Sequence, residues 1–139
     1  MSEIHEGGCL CGSVRYRTIG APVAATVCHC RFCQRRSGSA FGEAVLFRTE
    51  QVELSGGPLA TYEHRSDESG RWLRLEFCPK CGTTVTWTGE RRPGMRSMAG
   101  GTFDDPNWIR IGRHIWTRSA QPWVPIPTNV ECFEKGSPR

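Results

Sequence analysis

Apolar and polar residues alternate along residues 13–19, with Val14 and Tyr16 on one side and Arg15 and Arg17 on the other. That period of two predicts a half-buried β-strand. Residues 22–27 and 41–47 predict further strands, and so do residues 72–77, where Trp72, Leu73, Leu75 and Phe77 supply the apolar positions. Residues 83–88 are rich in β-branched side chains, which favour a pleated strand. Residues 52–54 and 59–62 flank Ser55-Gly56-Gly57-Pro58 and predict a hairpin. Residues 32–37 predict one short helical turn, stopped by Gly38. Beyond Gly89 the glycines and prolines predict a loop-rich stretch with one short strand over 115–117.

Composition agrees with this pattern. The 139 residues predict one domain, 1–139, and 16 Gly with 9 Pro predict frequent turns and no long helices. The expected class is all-β, built of short strands. No apolar run approaches the ~20 residues of a membrane span, so no membrane partner is expected. The opening segment, MSEIHEGGCL, is polar and has no secretory pattern, so the expected compartment is the reducing cytoplasm. Clustered cysteines there bind metal more often than they form disulfides. The formal charge is +4. Seven thiolates and two zinc ions would remove three of those charges and leave +1. The arginines are scattered and form no basic arm, so nucleic acid is not an expected partner.

Seven of the eight cysteines stand in three clusters: Cys9-x-Cys11, Cys28-x-Cys30-x-x-Cys33 and Cys78-x-x-Cys81. Seven divide naturally as four plus three. Cys11 precedes Gly12 and Cys81 precedes Gly82, and glycine there permits positive φ, which turns backbone N–H groups toward sulfur. Pro79 and Gly82 place the third cluster on a hairpin knuckle. Cys9, Cys11, Cys78 and Cys81 therefore make a closed tetrahedral zinc site that fastens the N-terminal segment to a later hairpin. The middle trio has no following glycine and runs from a strand into a helical turn. Three ligands from six residues leave one side of a zinc ion open. Zinc, two per chain, is the expected cofactor, although the spacing also admits an iron–sulfur cluster.

Other residues carry two readings each. Cys132 or a histidine could close the trio's fourth position; Cys132 otherwise reads as a small buried apolar residue. His29 stands between two ligands and reads as a neighbour of the metal rather than a ligand. His114 could reach the metal or a substrate, or serve the core. Arg31, Arg35 and Arg36 would add positive potential beside the trio, or be solvated. Trp108, Trp116 and Trp123 could wall a pocket in the loop-rich end, though tryptophans are mostly core.

The segments GGCLCGSVRY, CHCRFCQRRSGSAF, FCPKCGTTV, MAGGTFDDP and HIW resemble the glutathione-dependent formaldehyde-activating enzyme family, also called the centromere protein V/GFA domain. The resemblance covers residues 4–126. It implies a β-tent fold of antiparallel sheets. It implies a structural zinc on Cys9, Cys11, Cys78 and Cys81, and a catalytic-type zinc on Cys28, Cys30 and Cys33. The implied activity is that of a carbon–sulfur lyase: the glutathione thiol adds to formaldehyde to give S-hydroxymethylglutathione, and the reverse reaction cleaves the carbon–sulfur bond. The implied partners are a small thiol, glutathione, and a small aldehyde.

In that chemistry an open zinc position favours the thiolate form of a bound thiol. Arg31 and Arg35 are the candidates to meet the carboxylates of the tripeptide. His29 or His114 is the candidate to move the proton to the hemithioacetal oxygen. The competing class is a non-catalytic zinc module that binds protein or nucleic acid.

Overall fold

The computed structural model describes residues 3–137. The expected all-β class holds: strands dominate, with one seven-residue helix. A small antiparallel sheet contains β1 (Ile4–Gly8), β2 (Val14–Ile19) and β5 (Val52–Gly56), in the order β1-β2-β5. The larger sheet contains β3 (Ala24–Cys28), β4 (Gly42–Arg48), β6 (Ala60–Arg65), β7 (Trp72–Phe77), β8 (Thr84–Gly89), β9 (Met95–Ala99), β10 (Arg113–Ile115) and β11 (Glu131–Cys132). Its order is β11-β10-β3-β4-β9-β8-β7-β6. The pairs β11–β10 and β10–β3 are parallel, and the others are antiparallel. Helix α1 (Arg31–Ser37) leaves the end of β3.

The core joins the sheets. Val14 and Tyr16 come from the small sheet; Val45, Phe47, Val85 and Met98 come from the large one, with Cys9, Cys78 and Phe103 in the same cluster. Successive strand residues point to opposite faces, and β4 uses this fully. Val45 and Phe47 enter the core with no exposed surface, while Gly42, Ala44 and Leu46 line a cavity on the other face. The same cavity takes Thr26 and Cys28 from β3, Met95 and Ser97 from β9, and Arg113 and Ile115 from β10. One face of the large sheet thus supports the fold, and the other holds the site.

The expected hairpin over 52–62 is corrected. β5 pairs with β2 in the small sheet and β6 pairs with β7 in the large one. The glycine turn exists, but the chain changes sheets through it. Gly56 has φ +92° and a Cβ there would lie 2.1 Å from the Ser13 carbonyl oxygen. Gly57 N–H donates to that oxygen at 2.8 Å. Close approach to the small sheet therefore decides the pairing. β1 and β9 were not expected. β1 carries Gly7 and Gly8, weak strand formers, yet a Cβ on Gly7 would meet the Tyr16 hydroxyl oxygen at 2.5 Å. The expected strand at 115–117 ends at Ile115, because Trp116 takes φ +58°.

Replacement of Phe47 by Ala leaves a void at the centre of the core and should lower stability by about 3–5 kcal/mol. Guanidinium unfolding at saturating zinc measures this. A loss under 1 kcal/mol would show that the two sheets do not share this core.

Candidate metal centres

Two knuckles of similar build bring four sulfurs together. Gly12 N–H donates to the Cys9 carbonyl at 3.1 Å and Gly82 N–H to the Cys78 carbonyl at 2.8 Å. Both glycines have positive φ, +84° and +79°. Each knuckle is closed at its base, by Cys9 N–H to the Val14 carbonyl and by Cys78 N–H to the Thr83 carbonyl, both 3.0 Å. Backbone N–H groups also reach sulfur, from Val14 to Cys9 at 3.3 Å and from Lys80 to Cys78 at 3.4 Å. Leu10 N–H donates to Thr83 Oγ1 at 3.2 Å and ties the knuckles to each other.

The Sγ atoms of Cys9, Cys11, Cys78 and Cys81 lie within 4.8 Å of one another, and the Cys9–Cys11 and Cys11–Cys78 separations are 3.7 Å. Four thiolates at ~2.3 Å from a tetrahedral ion stand ~3.8 Å apart, so the donor set fits zinc. Burial opposes ionisation of Cys9, but the Val14 N–H and neighbouring thiols bring its pKa down to about 7. The hydroxyl and N–H of Thr83 bring Cys81 down to about 5.

The second cluster sits where β3 turns into α1. Cys28 is the last residue of β3, Cys30 is the N-cap of α1, and Cys33 lies in its first turn. The Cys33 N–H donates to Cys30 Sγ at 3.3 Å. Gly38, at φ +67°, stops the helix and donates its N–H to the Gln34 carbonyl at 2.9 Å. Buried Gln34 anchors the helix: its Nε2 donates to the His29 carbonyl at 2.8 Å and to the Ser119 carbonyl at 3.1 Å.

The three sulfurs also lie within 4.8 Å of one another. Hydrogen bonds from the thiols of Cys28 and Cys33, with N–H groups of Cys33 and Phe32, hold Cys30 ionised down to about 3. The same sharing pushes Cys28 far up, and beside the Cys30 thiolate Cys33 rises to about 11. One charge is thus shared by three sulfurs until a divalent cation displaces the two remaining protons. The group includes no fourth Cys, His, Asp or Glu among the described residues. The sulfurs border a cavity of about 280 Å³, with Phe32, Leu73, Trp87 and Met95 among its walls.

Other expected residues fall elsewhere. His29 and His114 do not line the cavity; they bond each other, Nε2 to Nδ1 at 2.9 Å, with rings 5.2 Å apart. Burial lowers both pKa values. Arg31 and Arg35, the expected carboxylate partners, do not line the cavity either: Arg31 donates to Gln34 Oε1 and Arg35 is exposed. A helix of about two turns carries them on its outer side. Arg36 does enter, its guanidinium carbon 3.9 Å from the Trp87 ring centre. Cys132 is exposed on β11 instead of buried, because that two-residue strand is the sheet edge. Trp108 stacks on His5 at 3.8 Å and Trp123 is 69% exposed, so Trp87 forms the tryptophan wall of this cavity. Arg113 and Gln34 escaped sequence reasoning; the alternation of Thr26 and Cys28 was the available signal for the cavity face.

Fold and centres together define a mainly-β protein with one fourfold and one threefold thiolate cluster, each able to hold a metal ion. A sequence profile described as glutathione-dependent formaldehyde-activating enzyme matches residues 4–119, and the chain belongs to that family. A crystal structure of a Rhodobacter sphaeroides protein has a similar fold, with a TM-score of 0.58 and 20% identity. The similarity covers 76% of this chain and 96% of that one. No curated protein matches the sequence. No helix of the described residues is long and apolar enough to cross a membrane.

The neutral histidine pair gives a pH signature. Both folded pKa values lie below the ordinary 6.5, so the unfolded chain binds protons first as pH falls. The pair's contribution to stability is complete above pH 6.5 and is lost progressively below it. NMR titration of the imidazole protons should place both midpoints below 6.5; a midpoint above 7 for either ring would contradict the neutral pair.

Proposed function

We propose that the chain is a zinc-dependent carbon–sulfur lyase that condenses glutathione with formaldehyde, or cleaves their adduct, beside Cys28, Cys30 and Cys33. The observation that supports this is a three-sulfur cluster bordering a cavity with no fourth protein ligand among the described residues. Cys9, Cys11, Cys78 and Cys81 hold the structural zinc in this reading, and the trio holds the second ion. Zinc at the trio supplies Lewis acidity that favours the thiolate of a substrate thiol at neutral pH. Sulfur suits a thiolate-rich site better than an aldehyde oxygen does.

The remaining work belongs to the chain's own residues. Phe32, Leu73, Trp87 and Met95 shield the sulfurs from bulk water. The Arg36 guanidinium lies against Gly42 and Cys33, where a Cβ on Gly42 would stand 2.4 Å from its Nη2. It offsets the negative charge of three thiolates. The His29–His114 bond ties the residue after Cys28 to β10 and so positions Cys28. The substrate sulfur adds to the carbonyl carbon, the carbon–oxygen π pair moves to oxygen, and that oxygen takes a proton. No atom is lost, and the reverse path restores thiol and aldehyde.

Cys30→Ser should keep one zinc of two, remain folded, and lose the accelerated formation of S-hydroxymethylglutathione seen by carbon-13 NMR. Cys81→Ser should leave the chain insoluble or unfolded, since structural zinc contributes on the order of 10 kcal/mol to small domains. Equal damage from both substitutions would contradict this division, and an unaccelerated wild-type reaction would contradict the activity.

A further inference from the structure

The cavity beside the trio is larger than addition to formaldehyde needs. It encloses about 280 Å³, whereas formaldehyde brings only a carbonyl group and its hydrogens. The strand register shows where the extra room lies. Gly42 pairs with Cys28 at the sulfur end. Ala44 and Leu46 follow on the same face of β4 and line the cavity, with Leu46 ~13 Å along the strand from Gly42. Leu46 pairs with Ser97 of β9, and Ser97 with Trp87 of β8. Ala44 and Ser97 are small, and Leu46, Leu73, Trp87 and Met95 border the space they leave. This trough begins at the sulfurs. A Cβ on Gly42 would touch both Arg36 and Cys33, and the Arg36 guanidinium lies over the Trp87 ring.

The charged side chains of the wall already hold protein groups. Arg36 lies on Trp87, Arg91 donates to the Ser137 carbonyl at 2.5 Å, and Arg113 directs Nε to Thr26 Oγ1 at 3.0 Å. Arg92 is engaged as well. No Asp or Glu lines the cavity, so an ammonium finds no acidic partner there. Glutathione carries carboxylates, an ammonium and peptide groups, and burying such groups without partners is unfavourable. A hydrocarbon chain has no polar group to satisfy, and each methylene removed from water favours binding. The arms of the tripeptide are therefore poor occupants of the trough, and a carbon chain on the aldehyde is a good one.

Resting on the thiol–aldehyde reading above, we propose that the trough bordered by Ala44, Leu46, Trp87 and Met95 is an alkyl subsite, and that the chain prefers aldehydes bearing an unbranched apolar chain to formaldehyde. The carbonyl carbon lies at the trio and the chain extends along β4 toward Leu46. The bonds that form and break are those of formaldehyde addition: sulfur to carbon, the π pair to oxygen, the thiol proton to that oxygen. Only the length of the electrophile changes.

Straight-chain alcohols test the trough without reaction, because the hydroxyl is common to all and only the chain varies. Methanol, 1-propanol and 1-hexanol are titrated into the zinc-loaded protein and followed by side-chain methyl NMR shifts. Affinity should rise about threefold per methylene, and the Leu46 and Met95 methyls should move. Ala44→Leu and Ser97→Leu fill the trough from neighbouring strands, and each should weaken 1-hexanol at least about tenfold. Leu54→Ala, on the edge strand of the small sheet, should leave 1-hexanol unchanged. Affinities that do not grow with the chain, or 1-hexanol binding that survives both fillings, would overturn the subsite. NMR exchange then compares hexanal with formaldehyde as partners of glutathione. The zinc-loaded protein should accelerate adduct formation at least about tenfold more with hexanal. Acceleration with formaldehyde alone would overturn the chain preference and leave the proposed reaction standing. Binding of 1-hexanol that the fillings abolish, with neither aldehyde accelerated, would overturn the proposed reaction and with it the aldehyde as occupant.

Discussion

Crowded sulfur is the constraint on which the rest depends. Seven cysteine sulfurs stand in two groups, each within 4.8 Å across. Two unit charges ~4 Å apart repel by about 4 kcal/mol at an effective dielectric of 20. Such groups remain protonated, share one charge, or enclose a cation. The fourfold cluster joins two knuckles that lie 67 residues apart in sequence at Cys11 and Cys78. A cation there would do what a disulfide does in an oxidising compartment: it would close a long loop and hold the small sheet to the large one. Cys9 and Cys78 belong to the core itself, so the crosslink and the hydrophobic cluster are one structure.

The threefold cluster obeys the same electrostatics with a different outcome. Its ligands come from one short stretch where β3 meets α1, and they can cover only one side of an ion. The sheet supplies the remaining surroundings through alternation: β4 sends Val45 and Phe47 into the core and turns Gly42, Ala44 and Leu46 toward the cavity. Gly42 leaves the room that Arg36 occupies. The site is therefore the reverse face of the elements that form the core.

The chemistry was more legible in the sequence than the architecture. The four-plus-three division follows from one- and two-residue gaps and from Gly12 and Gly82, because thiolate spacing and positive φ are local properties. β2, β7 and β8 were legible for the same reason: period-two alternation and β-branched content act within a few residues. Pairing was not legible. The turn at Gly56-Gly57 looks like a hairpin, yet its flanking strands join different sheets because contacts with Ser13 decide the matter. β1 and β9 have weak intrinsic signals and form because neighbours on the sheet complete their hydrogen bonds. Arg31 and Arg35 are close to the trio in sequence but lie outside the cavity, whereas Arg113 reaches it through a parallel pairing with β3. The one helix carries its arginines on different sides, and only Arg36 faces inward.

One cluster closed by protein sulfur and the other open to the cavity is the arrangement from which the chemistry follows. X-ray absorption at the zinc edge of the purified protein reads this directly. Two zinc ions per chain are expected with, on average, about 3.5 sulfur and about 0.5 light-atom ligands each. Four sulfurs around every zinc, or one zinc per chain, would contradict it.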